Sequence, residues 1–356
     1  MTLTRLQVDG VRILRDMRLD PVDGINVIAG LNGAGKTSLL EAIHLLATGH
    51  SFRTRQLDPV LSRGADALLV SGTVGEGGYP VGIRKSAGGT EVRIRGRRAA
   101  GMAELARELP VLAIHPESHV LVAGPPGQRR AFMDWGAFHR EADFHGIWVR
   151  YRKLLQQRNA ALRSGADPRL LRAWDDELAS AGERLHERRA AYVAALDNAL
   201  TSLLAGWPEM AALAWEYRRG WAQGTTLRET LERQMARDVA GGFTHAGPHR
   251  AELVWRLDGG PAAEVASRGQ QKSLVILLKL AQARVLQLET GRAPIVLVDD
   301  LASELDAARR ERVLQLLREL GAQVFVTVID AGSLDVSGWA QARMFHVEHG
   351  QVRVVS

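Results

Sequence analysis

Eight residues, Gly30-Leu31-Asn32-Gly33-Ala34-Gly35-Lys36-Thr37, carry the pattern glycine, four residues, glycine, lysine and a hydroxyl side chain. Each residue type has a chemical reason. Glycines permit a tight turn whose backbone N–H groups can surround phosphate oxygens, and a helix starting near Lys36 would aim its positive dipole end at them. The Lys36 ammonium would then reach the β- and γ-phosphates, and the Thr37 hydroxyl would ligate Mg²⁺. The expected ligand is Mg-ATP or Mg-GTP.

Three further motifs follow. Ile295 to Val298 is apolar and ends in Asp299-Asp300. This arrangement suits Asp299 to holding Mg²⁺ and leaves the Asp300 side chain to face the attacking water as the base. Alone it is a common strand end; beside a phosphate loop it becomes chemistry. Ser267-Arg268-Gly269-Gln270-Gln271-Lys272 opens an apolar helix. Exposed N–H groups, a serine and a lysine there form an anion site, although plain capping by Ser267 would look the same. Ser303-Glu304-Leu305-Asp306, by itself, is an ordinary turn into a helix. Only five of the 46 basic residues are lysines, and Lys36 and Lys272 are two of them, so their placement is informative.

The elements that must position these residues are legible from periodicity. Short apolar or alternating runs at Leu3 to Val8, Ile25 to Ala29, Leu68 to Val74, Val81 to Lys85 and Val92 to Arg95, with glycine-rich breaks, predict strands and hairpins. A helix over Lys36 to Leu46 supplies the strand, loop and helix context of the phosphate loop. From about Phe138 to Ala240 the pattern becomes helical. Trp148, Tyr151, Leu155 and Leu162 form one stripe; Trp174, Leu178, Ala181, Leu185, Tyr192 and Ala195 form another. The turn Ser164-Gly165-Ala166-Asp167-Pro168 between them predicts an antiparallel hairpin whose arms reach some 35 to 50 Å at about 1.5 Å per residue, although a helical subdomain packed on the core would read the same way. Beyond Gly241 the pattern alternates again: Glu252 to Leu257, a helix from Gln270 to Gln287, a strand Ile295 to Val298, a helix Ala307 to Leu320 and a strand Val324 to Val328. An α/β head over 1–135 and 241–356, with a helical arm inserted over 136–240, is therefore expected.

Composition narrows the class. The 356 residues, 46% hydrophobic and 24% charged, suit a globular chain with a sizeable core. The chain has no cysteine, which excludes disulfides and thiolate metal sites. No apolar run is long enough to span a bilayer and no signal-peptide core is seen, so a cytoplasmic location without a membrane partner is expected. A formal charge of +6 suits a polyanionic partner. Candidate DNA contacts are Arg53 and Arg55 after the phosphate-loop helix, and Arg93, Arg95, Arg97 and Arg98 in a predicted hairpin. A solvated basic face would read the same way. No aromatic interleaving suggests base stacking.

The four motifs in this order resemble the ABC ATPase superfamily: Walker A, a signature serine-glycine-glutamine, Walker B and the D-loop. The closer resemblance is to the RecF family of bacterial DNA repair proteins. It rests on Asn32 to Ile43, Ser51-Phe52-Arg53-Thr54, Gly124 through Arg129-Arg130, Gly247-Pro248-His249-Arg250, Arg268 to Lys272 and Asp299 to Asp306. The resemblance implies an ABC-type P-loop ATPase head, with a mixed sheet and antiparallel strands in lobe I and the helical arm as lobe II. It also implies ATP-dependent head-to-tail dimerisation, binding to single-stranded or gapped DNA, and cooperation with RecO and RecR to load RecA, supporting the SOS response.

Carried over residue by residue, Gly30 to Thr37 and Asp299 bind Mg-ATP, and Arg12 looks like the arginine near the family's nucleotide pocket. Asp300 stands where a catalytic glutamate is usual; being one methylene shorter, it implies a weak, DNA-stimulated ATPase that acts as a switch. Ser267, Gly269, Gln270 and Lys272 form the signature facing the partner chain's ATP, and Ser303 and Asp306 belong to the D-loop. Two departures from the family pattern stand out. Val11-Arg12-Ile13-Leu14 replaces an aromatic-arginine-asparagine run, and Thr327 stands where transporter relatives place a histidine that meets the γ-phosphate. The chief rival, a transporter's nucleotide-binding subunit, usually has its signature much nearer the phosphate loop than Ser267 is to Lys36.

Overall fold

A computed structural model describes residues 2–75, 77–165, 167–301 and 305–355, with 168–170 as backbone alone. The chain divides into two units. The first comprises residues 1–118 and 275–356, and the second 119–274.

In the first unit, Ile25–Ala29 sits inside a six-stranded sheet. Its order is Gln351–Val355, Ala342–Glu348, Ile25–Ala29, Val324–Val328, Ile295–Val298, Val111–Ile114. All its pairings are parallel except the terminal hairpin of Ala342–Glu348 with Gln351–Val355. Continuous apolar runs suit these inner strands because both faces are covered, and every residue of Ile25–Ala29, Ile295–Val298 and Val324–Val328 is buried. Two polar residues interrupt these runs, Thr327 and Asn26, and the Asn26 amide is satisfied by the backbone of Val22 and Val324.

A second, antiparallel sheet runs Met17–Leu19, Leu3–Asp9, Ala67–Val74, Tyr79–Ser86, Gly89–Ile94, Arg97–Arg98. Here the strands alternate, as in the buried-exposed pattern of Leu3–Asp9, because only one face is packed. Between the sheets lies the helix Lys36–Thr48, buried on almost every side at Leu39, Leu40, Ala42, Ile43, Leu45 and Leu46. A helix so enclosed is a rigid mount for whatever its N-terminus holds.

The second unit holds the expected hairpin, Phe144–Arg163 and Pro168–Leu204, with the helices Pro126–Arg140 and Leu227–Gly241. A three-stranded sheet, Gly260–Pro261, Glu252–Leu257 and Leu213–Arg218, completes it. The longer arm has 37 residues, roughly 55 Å at about 1.5 Å each. This unit is larger than the expected 136–240 because Pro126–Arg140 packs on Pro168–Leu204 and on Glu252–Leu257, drawing both flanking segments into it. The hairpin's buried face also differs in register. Tyr151, Leu162, Leu178, Leu185 and Tyr192 are buried as expected, but Leu154 replaces Leu155, and Trp148 and Trp174 stay outside the core. Arg158 shares the buried stripe: it is fully enclosed and bonded to Asp175 and Asp238, each at 2.7 Å, and to Thr244 at 2.8 Å. A charge at that position breaks the apolar periodicity on which the reading of the stripe relied.

Candidate functional site

The loop after the buried strand Ile25–Ala29 turns back over the start of the enclosed helix, and two of its glycines are required, Gly30 by backbone contact and Gly35 by its positive φ. At Gly30, φ is 155°, and a Cβ would lie 2.3 Å from the Val347 carbonyl oxygen. At Gly35, φ is 114°, and a Cβ would press on Ile13 at 3.0 Å. The hairpin turn near Gly350 braces the loop, the Gly350 N–H donating to the Ala34 carbonyl at 2.9 Å. Gly35 places no side-chain cap on the helix, so the first-turn N–H groups keep their capacity for an anion. The Lys36 ammonium folds back to donate to the carbonyls of Gly30 at 2.6 Å and Leu31 at 3.0 Å. Burial pushes its pKa down, against the opposing pull of Asp300 and Asp299.

Opposite lies the end of Ile295–Val298. The Thr37 hydroxyl is 3.0 Å from both carboxylate oxygens of Asp299, which is 7% exposed. Burial raises the Asp299 pKa, while hydrogen bonds from Thr327 and Thr37 pull it back down. Asp300 is only partly buried and has φ of 56°, a left-handed conformation uncommon outside glycine that turns the chain sharply at the strand end. A hydroxyl and a carboxylate, both hard oxygen donors, fit Mg²⁺ beside nucleotide phosphates, because that ion commonly takes one or two carboxylates and completes its shell with water and phosphate.

Thr327 has a different place from the one expected. It is buried, its hydroxyl donating to Asp299 Oδ1 at 2.8 Å and accepting from the Asp300 N–H at 2.8 Å. It braces both acidic residues. A lone threonine in an apolar run gives no warning of this in sequence. His115 and Glu117 were also missed. The strands Val111–Ile114 and Ile295–Val298 run in parallel with Ile114 opposite Val298, so His115 follows one strand where Asp299 follows the other. His115 stacks on Phe52 at 4.7 Å between centroids and bonds Glu117 at 3.0 Å; burial lowers its pKa. The signal available was a short apolar run ending in His-Pro-Glu, the same grammar as Walker B.

Arg12 lies beside the loop's helix, and its fork pairs in two-pronged fashion with the buried Glu41 at 2.9 and 3.0 Å. The Ser51 hydroxyl donates to the same carboxylate, which explains the run beginning at Ser51. In the second unit, Ser267 caps the helix Arg268–Thr290. Its hydroxyl accepts from the Gln270 N–H at 3.2 Å, and the Gln270 side chain accepts from the Ser267 N–H at 2.9 Å. Ser267 and Gly269 are exposed, and Gln270 and Lys272 partly so. Asp306 caps the helix Ala307–Glu319, and Ser303 lies outside the described residues. Arg53, Arg55, Arg97 and Arg98 are exposed. Arg93 and Arg95 are exposed too, but Arg93 pairs with Glu91 at 3.0 Å, and Arg95 lies over the Tyr79 ring at 4.2 Å and 3.9 Å from Glu108.

Residues 2–353 match the family described as RecF/RecN/SMC N terminal domain. The "DNA replication and repair protein RecF" of Thioalkalivibrio sulfidiphilus is 54% identical, with 99% of each chain covered. That of Shewanella baltica is 41% identical over the whole of both chains. Among solved structures, "Structure of the recombination mediator protein RecF-ATP in RecFOR pathway" superimposes with a TM-score of 0.88 at 25% identity, covering 99% of this chain and 97% of the other. An Smc head domain from Pyrococcus furiosus, at TM-score 0.58 and 14% identity, shares the fold. These likenesses run the length of the chain and set aside the transporter reading: the chain belongs to the RecF family.

Proposed function

We propose that the chain is an ATP-operated DNA-binding switch of recombinational repair and replication, acting in the cytoplasm. The observation that carries this reading is the hydrogen-bonded line Thr37, Asp299, Thr327, Asp300, which joins the phosphate loop to the paired carboxylates in a single rigid group. Loop N–H groups and Lys36 hold the phosphates, and Thr37 and Asp299 hold Mg²⁺, which neutralises phosphate charge. Arg12 acts through Glu41 by fixing the helix that carries Lys36 and Thr37. Asp300 orients and deprotonates the attacking water; its short side chain makes turnover slow, so the ATP state persists. In that state the signature residues Ser267, Gly269, Gln270 and Lys272 of one chain meet the nucleotide of a second, giving a head-to-tail dimer on single-stranded or gapped DNA. The relative solved with ATP is described as part of the RecFOR pathway, which supports RecO and RecR as partners; RecA loading is the outcome this reading assigns to them.

The test is DNA binding by Asp300→Asn. An amide cannot accept the water's proton, so this variant should bind ATP normally, hydrolyse it at under a tenth of the normal rate, and hold DNA longer in the presence of ATP. Binding should weaken steeply with salt as phosphate contacts release counterions. DNA affinity independent of ATP and of salt would overturn the reading.

A further inference from the structure

Aromatic side chains scattered in the sequence gather on one face of the second unit. Trp135 and His139 lie 4.3 Å apart between ring centroids, Phe138 and His139 4.9 Å, Phe138 and His145 6.1 Å, and His145 and Trp148 6.4 Å. None of the five is fully buried, and His145 is exposed. The Arg152 guanidinium closes the series, stacked over the Trp148 ring at 4.6 Å. From there a groove of about 540 Å³ continues along the helix Phe144–Arg163, floored by Val149 and Leu155 and ending at Arg163. Trp148 and Leu155 are apolar residues of the helix Phe144–Arg163 that the sequence pattern assigned to the hairpin core and that the core does not take up. The groove is lined by two arginines and no carboxylate, and among the described residues neither guanidinium makes an ion pair. Asp134, the acid nearest Trp148, bonds its indole N–H at 3.2 Å and is already paired with Arg189.

We propose that this face is a track for single-stranded DNA, with bases stacking on the exposed His145 ring and on the Trp148 face that Arg152 uncovers as it turns to a phosphate, and phosphates meeting Arg152 and Arg163. Aromatic rings next to unpaired cations are the combination that holds an unpaired strand without reading its sequence. Arg152 and Arg163 are about 16 Å apart along the helix axis, room for a few nucleotides. A duplex, whose bases are already stacked on one another, has no use for the rings. The proposal rests on the DNA-binding reading above and adds a location and a preference for single strands.

The experiment uses the full chain with ATP and Mg²⁺ and a fluorescein-labelled oligothymidylate, an abasic strand of equal length and a duplex as probes. The double variant Arg152→Glu with Arg163→Glu should bind oligothymidylate at least about tenfold more weakly, with ATP affinity unchanged. Trp148→Phe, which keeps a ring but loses area and the indole N–H, should weaken oligothymidylate roughly two- to fivefold and leave the abasic strand unaffected. If the wild type binds DNA and both variants bind it equally well, the track is wrong and the general reading stands. If the wild type binds no DNA with ATP, both fall. Normal DNA binding by the double variant, with loss of binding to purified RecR or RecO, would make the face a protein-docking surface and overturn the proposal.

Discussion

Replacing Thr327 with valine keeps the shape of a buried residue and removes two hydrogen bonds at once. Its hydroxyl is a charge-assisted donor to Asp299 Oδ1 and an acceptor for the Asp300 N–H, each at 2.8 Å. Hydrogen bonds to charged groups contribute about 1.5–3 kcal/mol each. Expressed in the site, that loss corresponds to roughly one to two orders of magnitude in Mg-ATP affinity or turnover. The sign of the pH effect follows from Asp299. Burial raises its pKa in the fold, so its contribution to apoprotein stability is fully present below the unfolded carboxylate pKa and is lost as pH rises through the raised folded value. Thr327 opposes that rise, so Thr327→Val should lift the Asp299 pKa further. The stability deficit of the variant should therefore be smaller near pH 4, where only the pH-independent loss of the acceptor for the Asp300 N–H remains, and larger at pH 8. Single-turnover hydrolysis, nucleotide titration with and without Mg²⁺, and urea unfolding at the two pH values read these effects, with Thr327→Ser as the restoring control. A valine variant with normal Mg²⁺ dependence, turnover and stability at pH 8 would refute the bracing role.

Lys36→Ala should leave the circular dichroism spectrum unchanged and weaken ATP by tenfold or more, since a charge-assisted contact of about 1.5–3 kcal/mol is lost; near-normal affinity in nucleotide titration would count against the phosphate loop. Arg158→Met should destabilise the second unit by about 3–5 kcal/mol, because Asp175 and Asp238 are left buried without their cation. Urea unfolding followed by tryptophan fluorescence measures it, and a loss below about 1 kcal/mol would show that the network is already compensated.

The elements of the first unit were legible because their physics is local. Buried parallel strands leave continuous apolar runs such as Ile295 to Val298, and a glycine-rich turn before Lys36 has few other uses. What escaped depended on pairing across the chain. Val111–Ile114 is a short run whose meaning comes from lying beside Ile295–Val298, and the role of Thr327 exists only because its strand ends level with the acidic pair. The boundary of the second unit escaped because Glu252–Leu257 reads equally well as part of either unit until its packing is known. In the hairpin, Arg158 occupies a core position through partners 17 and 80 residues away, which no helical periodicity reports. The same blindness hid the aromatic series, whose rings belong to two helices.

The central claim, that an ATP site is completed by the signature of a second chain, is tested most directly by mixing two inactive variants, Lys36→Met and Ser267→Arg. In a mixed dimer one composite site carries both lesions and the other carries neither. The account predicts that mixing restores ATP hydrolysis, up to one working site per mixed dimer. Activity no higher than the sum of the separate variants, with subunit exchange confirmed by a fluorescence-transfer pair, would contradict it.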